Sequence, residues 1–211
     1  MAPLSILING AGVAGTCLAL LLSRQGHKVT VLERHPELRV SGLQIDLRGP
    51  GIDILRRLGL EEQFLAVAAR EEGYEIVDGK GRRWAYFSAN NDREPVQGKG
   101  EAGTGREKKK KALQGFTTDY EIMRGDLCRL LRDAVEAEGT GNVEWRFGGE
   151  VTSIAETRRD VHGKKGKLVT VTIHQHADKT STEETYDLVV GADGVGSKIR
   201  RLMTTGQALP P

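Results

Sequence analysis

The sequence predicts an α/β fold built on a parallel sheet, and three features of the 211-residue chain lead to this prediction. Residues 4–33 alternate strand, helix and strand patterns, residues 126–138 form an amphipathic helical pattern, and residues 143–190 carry several β-branched runs. Two consecutive strands joined by a helix pair in parallel, because the crossover returns the chain to the same end of the sheet. The fold class we expect is therefore α/β.

The first strand, the helix after it and the second strand have clear boundaries. Leu4–Asn9 is an apolar run that ends at a glycine, which is typical of a buried parallel strand. Gly12–Arg24 carries apolar residues at helical spacing, and Gly26 suits the position after the helix C-terminus. Lys28–Glu33 is β-branched and predicts the second strand.

The next part of the chain predicts shorter elements. We expect a loop over His35–Gly49, followed by two helices over Gly51–Leu58 and Glu61–Arg70. The strands Tyr74–Asp78 and Arg82–Phe87 should then form a hairpin around the turn Gly79–Gly81. Residues 88–115 contain almost no apolar side chains and cannot bury enough surface to order themselves. They predict a disordered insertion within one domain that spans residues 1–211.

The C-terminal part predicts a helix followed by strands. Asp126–Glu138 has one apolar face, with Asp126 placed to cap its N-terminus and Arg124 just before it. Strand-like runs follow, separated by polar turns over 158–167 and 177–184; they are Val143–Phe147, Leu168–His174 and Tyr186–Val190, with Val151–Ala155 as a candidate fourth.

The chemistry begins with the pattern Gly10-x-Gly12-x-x-Gly15. Gly10 permits a tight turn, Gly12 lets the backbone approach a pyrophosphate, and Gly15 lets the helix pack on the strand. Glu33 ends the second strand, where a carboxylate accepts hydrogen bonds from ribose hydroxyls and repels a 2′-phosphate. FAD or NAD therefore suits this site better than NADP. Arg34 either stacks on the adenine or faces water.

Two weaker patterns accompany the glycine motif. Asp193-Gly194 follows a predicted strand, at the sheet edge where open α/β sheets bind ligands, although an Asp in such a turn also serves as a helix cap. Arg124 precedes a helix, where a guanidinium can reach an anionic or carbonyl group, although such an Arg is usually a surface charge.

In this order, the three patterns resemble those of the class A FAD-dependent monooxygenases, of the para-hydroxybenzoate hydroxylase type. The motif after the last strand reads GADGVGSKIRR, and the stretch SGLQIDLRGPGIDILRRLGL is most similar to the branch with the tetracycline-inactivating monooxygenases. The resemblance covers the N-terminal half of such enzymes. It implies a three-layer, Rossmann-like FAD-binding domain with an incomplete β-rich second lobe.

The resemblance also implies functions for individual residues. In that family NAD(P)H reduces FAD, which with oxygen hydroxylates or epoxidises a small organic substrate. Residues that would hold the ADP half of FAD are Gly10, Gly12, Gly15, Glu33 and Arg34; those on the flavin side are Asp46 and Arg124. Asp193 and Gly194 would shape the region of FAD and NAD(P)H, and Arg39 would serve NADPH.

One departure from the family bears on activity. Family members carry a further Gly-Asp motif after the GADG segment, and no Gly-Asp pair follows Asp193 in these 211 residues. Two hypotheses therefore stay open: an FAD-dependent monooxygenase or its N-terminal fragment, and a catalytically silent dinucleotide-binding protein. A homodimer or a complementing polypeptide would supply the missing part.

Other functions have less support. The formal net charge is +2, and the lysine run 108–111 lacks interleaved aromatics, so we expect no nucleic-acid binding. The apolar start is broken by Asn9 and glycines, which predicts neither a signal peptide nor a membrane span, and a cytoplasmic location is expected. His174 and His176 share a strand face without other ligands at metal spacing, so no metal is expected.

Overall fold

A computed structural model describes residues 2–69, 73–88, 119–161 and 164–206. The elements, in chain order, are β1 (Ser5–Asn9), α1 (Val13–Arg24), β2 (Lys28–Glu33), β3 (Gln44–Asp46), α2 (Pro50–Leu58), α3 (Glu61–Val67), β4 (Gly73–Val77), β5 (Arg83–Ser88), β6 (Glu121–Met123), α4 (Arg124–Ala137), β7 (Val143–Phe147), β8 (Gly149–Val161), β9 (Lys164–Gln175), β10 (Ser181–Tyr186), β11 (Leu188–Gly191) and α5 (Lys198–Thr205). The chain divides into two compact units, residues 1–43 with 123–211, and residues 44–122.

The first unit is built on a four-stranded parallel sheet in the order β11-β1-β2-β7. Its central strands are apolar on both sides, because both faces are covered. Ile6 and Ile8 of β1 face one core, with Val29 and Val31 of β2. Because side chains alternate along a strand, Leu7 faces the opposite core.

Three layers result from this two-sided burial. Helix α1 lies on one face of the parallel sheet, and α4 packs against α1 with its Arg132 over the Trp145 and Phe147 rings of β7. The other face carries the antiparallel sheet β10-β9-β8 together with α5, whose Ile199 and Leu202 are buried beside Val151 and Ile173. The predicted α/β, three-layer FAD-binding architecture is confirmed.

The second unit combines short strands and helices. Strand β3 pairs with β6, and Leu47 N–H donates to the Tyr120 carbonyl at 2.8 Å. Helix α2 begins at Pro50, one residue before the predicted start, and its C-cap Gly59 has the left-handed conformation. The β4–β5 hairpin turns through residues 78–82, where the Asp78 carboxylate accepts two backbone N–H groups.

Several predicted boundaries are wrong. Arg124 is the first residue of α4 and follows the cap residue Met123, so Asp126 lies in the first turn and pairs with Arg129 instead of capping. The expected strand Tyr186–Val190 is two strands, because the chain changes sheets at Asp187.

Other differences concern length. The expected turn over 158–167 belongs to the long hairpin of β8 and β9, and β3 and β6 were not predicted. The predicted disordered insertion lies outside the described residues, except for Ser88 at the end of β5. No helix in the described segments is long and apolar enough to cross a membrane.

Candidate cofactor site

One cavity of about 710 Å³ lies within the first unit, at the edge where the parallel strands end. Parallel pairing brings the carboxyl ends of β1, β2, β7 and β11 to this edge, which is where open α/β sheets bind ligands. Eight of the sequence-predicted site residues line the cavity, namely Gly10, Gly12, Glu33, Arg34, Arg39, Arg124, Asp193 and Gly194. The glycine loop and the GADG segment thus face one space.

The turn between β1 and α1 requires its glycines for steric reasons. Gly10 has a φ of +112°, and a β-carbon there would lie 2.6 Å from the Ala192 carbonyl oxygen. A β-carbon on Gly15 would lie 1.9 Å from the Gly10 carbonyl oxygen. Gly15 therefore serves the close packing of α1 on the strand rather than the cavity surface.

Gly12 differs, since a β-carbon there would meet only the Arg124 guanidinium, at 3.5 Å. Gly12 is the N-cap of α1, and no described side chain caps this helix end. The end of a helix that presents uncapped N–H groups carries a partial positive charge and suits a phosphate. The loop therefore fits the diphosphate of a dinucleotide, with backbone on one side and Arg124 on the other.

Arg124 is held in place by two close approaches of the chain. A β-carbon on Gly125 would lie 1.8 Å from the Val40 carbonyl oxygen, so the start of α4 sits directly against that backbone. Gly42 leaves room for the Arg124 side chain, whose Cδ lies 3.0 Å from the β-carbon position. The Arg124 N–H donates to the Leu43 carbonyl at 3.2 Å. The sequence Arg-Gly-Asp thus encodes a positioned arginine.

The carboxylates of the cavity are already engaged. Glu33 accepts N–H groups of Ala11 and His35, at 2.9 and 3.1 Å. Glu150 forms an ion pair with Lys198 at 3.1 Å, with both side chains less than one-fifth exposed. Asp193 accepts the Ser197 hydroxyl at 2.6 Å and the first N–H groups of α5.

The cavity wall carries more cationic side chains than its carboxylates pair with. The guanidinium groups of four arginines on the cavity wall have no hydrogen-bonding or ion-pair partner among the residues that the structure describes; they belong to Arg34, Arg39, Arg124 and Arg201. Unpaired guanidinium groups favour an anionic ligand, because they offer rigid forks of donors to phosphate oxygens. The charge of the cavity therefore agrees with a diphosphate-containing ligand.

Sequence reasoning missed part of this wall. His35, Cys128, Glu150, Lys198 and Arg201 also line the cavity. Burial raises the pKa of the Cys128 thiol, so it remains protonated at neutral pH and acts as a small apolar group. Glu150 follows the end of β7, Phe147, by three residues, and this position was the available signal.

Two predicted residues lie elsewhere. Gly15 is buried behind the loop, as described above. Asp46 belongs to the second unit, where its carboxylate forms an ion pair with Arg48.

Comparisons with known proteins identify the family of the chain. The profile of the FAD binding domain family matches residues 4–208. The chain is 39% identical over 203 residues to the FAD-dependent monooxygenase asL4 of Sarocladium schorii, covering 96% of this chain and 40% of that protein. It is 36% identical to the flavin-dependent monooxygenase eupH of a Phoma species, covering 96% and 41%.

Solved structures give the same result. The crystal structure of tetracycline destructase Tet(51) matches 95% of this chain and 41% of its own, with a TM-score of 0.64 and 29% identity. The monooxygenase PieE, solved with FAD and substrate, shares the fold at 23% identity and a TM-score of 0.65. The chain thus spans about 40% of the length of the curated relatives it matches. With the glycine loop, the cationic cavity and a family match over nearly its whole length, the chain belongs to the FAD binding domain family.

Proposed function

We propose that the first unit holds the ADP half of FAD, and that the chain is the N-terminal part of an FAD-dependent monooxygenase. The carrying observation is that Glu33, Gly12 and Arg124 face one cavity at the carboxyl edge of the parallel sheet. A ribose beside Glu33 and a diphosphate between α1 and Arg124 would suit these groups.

The remaining assignments follow the family pattern. Gly10 and Gly15 keep the turn tight, and Arg34 lies next to Glu33 at the adenosine end. Asp46 and Arg124 would act on the flavin side, with Asp193 and Gly194 shaping the wall for FAD and NAD(P)H. Arg39 lines the same cavity without a described partner, which supports a role toward an anionic group such as that of NADPH.

FAD would supply the electron and oxygen chemistry, since cofactors carry such reactions and proteins bind and orient them. The protein's own groups bind the cofactor. NAD(P)H as reductant and a small organic substrate, such as a secondary metabolite, complete the proposed reaction; the named relatives are monooxygenases. We place this reaction in the cytoplasm, where NAD(P)H is available.

A second function is a dinucleotide-binding protein without catalysis. It stays open because a dinucleotide site can bind its ligand without turnover; these residues match about 40% of the relatives' length, and the other groups of those proteins lie in the part that is not matched. For turnover by these 211 residues, a second copy or a complementing polypeptide would have to supply those groups.

Binding and catalysis are tested separately. Calorimetric titration with ADP and FAD tests the cavity, and loss of binding in Arg124→Gln but not in Arg129→Gln would support it. NADPH oxidation by the FAD-loaded chain, with and without candidate substrates, then distinguishes the two functions. FAD binding without NADPH oxidation supports the silent protein; no binding of ADP or FAD would overturn both.

A further inference from the structure

The carboxylate of Glu33 is bonded to the glycine loop before any ligand is considered. Its Oε2 accepts the N–H of Ala11 at 2.9 Å, and its Oε1 accepts the N–H of His35 at 3.1 Å. Ala11 lies between Gly10 and Gly12 and is only 3% exposed. Both carboxylate oxygens are therefore engaged by backbone donors, and one of these donors belongs to the phosphate-binding turn.

Among the described residues, the bond to Ala11 is one of two backbone links between the turn and the end of β2. The other is the Gly10 N–H, which donates to the Leu32 carbonyl at 2.7 Å. Without Glu33, the Ala11 N–H would lose the acceptor that satisfies it in a buried position, and an unpaired buried donor is costly. The turn would then relax toward another acceptor and change the position of Gly12.

The His35 bond fixes the orientation of this carboxylate. His35 in turn accepts the Gly148 N–H at 2.8 Å through its carbonyl, so the segment after β2 is tied to the segment after β7. A carboxylate held at both oxygens is pre-organised, and it keeps further lone pairs for a ribose hydroxyl.

We infer that Glu33 is a positioning residue for the diphosphate, in addition to being the ribose acceptor, because it holds the Gly10–Gly12 turn in the shape that binds phosphate. This inference rests on the proposed FAD site. For the change in pyrophosphate affinity when Glu33 is replaced, this inference predicts the opposite sign from an argument based on charge alone. A carboxylate repels a diphosphate, so removing only its charge would strengthen pyrophosphate binding; removing the support of the turn weakens it.

The experiment compares two nearly isosteric variants of the full chain. Glu33→Gln and Glu33→Met both remove the charge, but only the glutamine amide oxygen can accept the Ala11 N–H. Affinities for inorganic pyrophosphate and for ADP are measured by calorimetry, with thermal unfolding as a check on folding. Glu37→Gln is the matched control, since Glu37 is an exposed carboxylate in the same segment.

We expect Glu33→Met to bind pyrophosphate about tenfold more weakly than the wild type, which corresponds to one lost hydrogen bond. Glu33→Gln, which removes the charge and keeps the support of the turn, should bind pyrophosphate as tightly as the wild type or up to about twofold more tightly, while losing about tenfold for ADP, whose ribose needs the carboxylate. Glu37→Gln should change neither affinity by more than about twofold, as expected for a screened surface charge.

Equal or tighter pyrophosphate binding by Glu33→Met would overturn the positioning role and leave the ADP site intact. A wild-type chain that binds neither ADP nor pyrophosphate would overturn the site itself. If Glu33→Met does not fold, amide exchange of the ligand-free wild type decides. The positioning role requires the Ala11 amide to be protected, and exchange at the rate of an open loop contradicts it.

Discussion

The guanidinium of Arg124 lies over Gly12, with Nη2 3.5 Å from the position that a β-carbon on Gly12 would occupy. This pair joins the N-terminus of α1 to the N-terminus of α4, more than one hundred residues apart in the chain. The helix end at Gly12 and the guanidinium of Arg124 both carry positive potential, and both residues line the same cavity. Their convergence favours an anionic ligand between them, and it provides the first two predictions.

Gly12 and Gly15 should respond differently to a single methyl group. In Gly12→Ala the β-carbon makes an ordinary contact with a flexible side chain, so stability should fall by no more than about 1 kcal/mol. ADP affinity should fall tenfold or more, because the methyl group occupies the approach to the helix end. In Gly15→Ala the β-carbon collides with the Gly10 carbonyl, and stability should fall by about 3 kcal/mol or more. Urea unfolding and ADP titration measure both; similar stabilities of the two variants would contradict this reading.

Removal of the Arg124 charge should weaken nucleotide binding without unfolding the protein. Arg124→Gln loses a charge-assisted contact with phosphate, which contributes about 1.5–3 kcal/mol, or roughly tenfold to a hundredfold in affinity. Arg129→Gln on the same helix is the control, because Arg129 is exposed and pairs with Asp126. Titration with ADP and FAD checks the difference, and equal affinities for the two variants would show that Arg124 does not contact the ligand.

Asp193 should contribute more to stability than to affinity. Its carboxylate accepts the Ser197 hydroxyl and the N–H groups of Lys198 and Ile199, so it stabilises the N-terminus of α5. Asp193→Ala should lower the free energy of unfolding by about 1–2 kcal/mol, as for the loss of a helix cap. Asp133→Ala, an exposed position on α4, should leave it nearly unchanged. Denaturant unfolding tests this, and an ADP affinity that falls while stability is kept would assign Asp193 to the ligand instead.

Tyr186 should lose its proton at a higher pH than an ordinary tyrosine, and the free energy of unfolding should fall as it does so. Burial and its hydrogen bond to Glu184 raise the pKa of Tyr186 to about 12, against about 10 in an unfolded chain. The folded state thus favours the neutral phenol. This contribution is fully present below about pH 10 and is lost as the pH rises through about 12. Phenolate absorbance should show a tyrosine that titrates near pH 12 in the wild type and is missing in Tyr186→Phe. An unchanged titration curve in that variant would exclude the assignment.

Local patterns were sufficient for the glycine turn and the first two strands. Gly10, Gly12 and Glu33 lie within thirty residues of one another, and their positions follow from periodicity and glycine chemistry. The helix start at Arg124 was predicted two residues late, because Asp126 is a good capping residue by type. The helix instead starts where its first turn packs against the backbone of Val40, and only a glycine fits at position 125 in this contact. That contact is not visible in a local pattern.

Strand boundaries in the last third of the chain also depend on contacts that a local pattern does not show. Tyr186 and Val190 belong to one apolar run, yet the chain changes sheets at Asp187, whose carboxylate accepts the Ser5 N–H at 2.8 Å. Partners that distant in sequence are set by sheet pairing, which periodicity does not report.

By itself, the sequence determined the α/β class, the glycine turn after β1 and the acidic end of β2, because each depends on neighbours in the chain. Only the tertiary structure decided which other groups share the cavity. Glu150, Lys198, Arg201 and Cys128 come from β8, α5 and α4, and they meet the glycine loop because parallel pairing gathers the carboxyl ends of four strands at one edge. The Glu33–Ala11 bond also belongs to the tertiary structure, since it joins two strand ends that only the folded sheet places side by side.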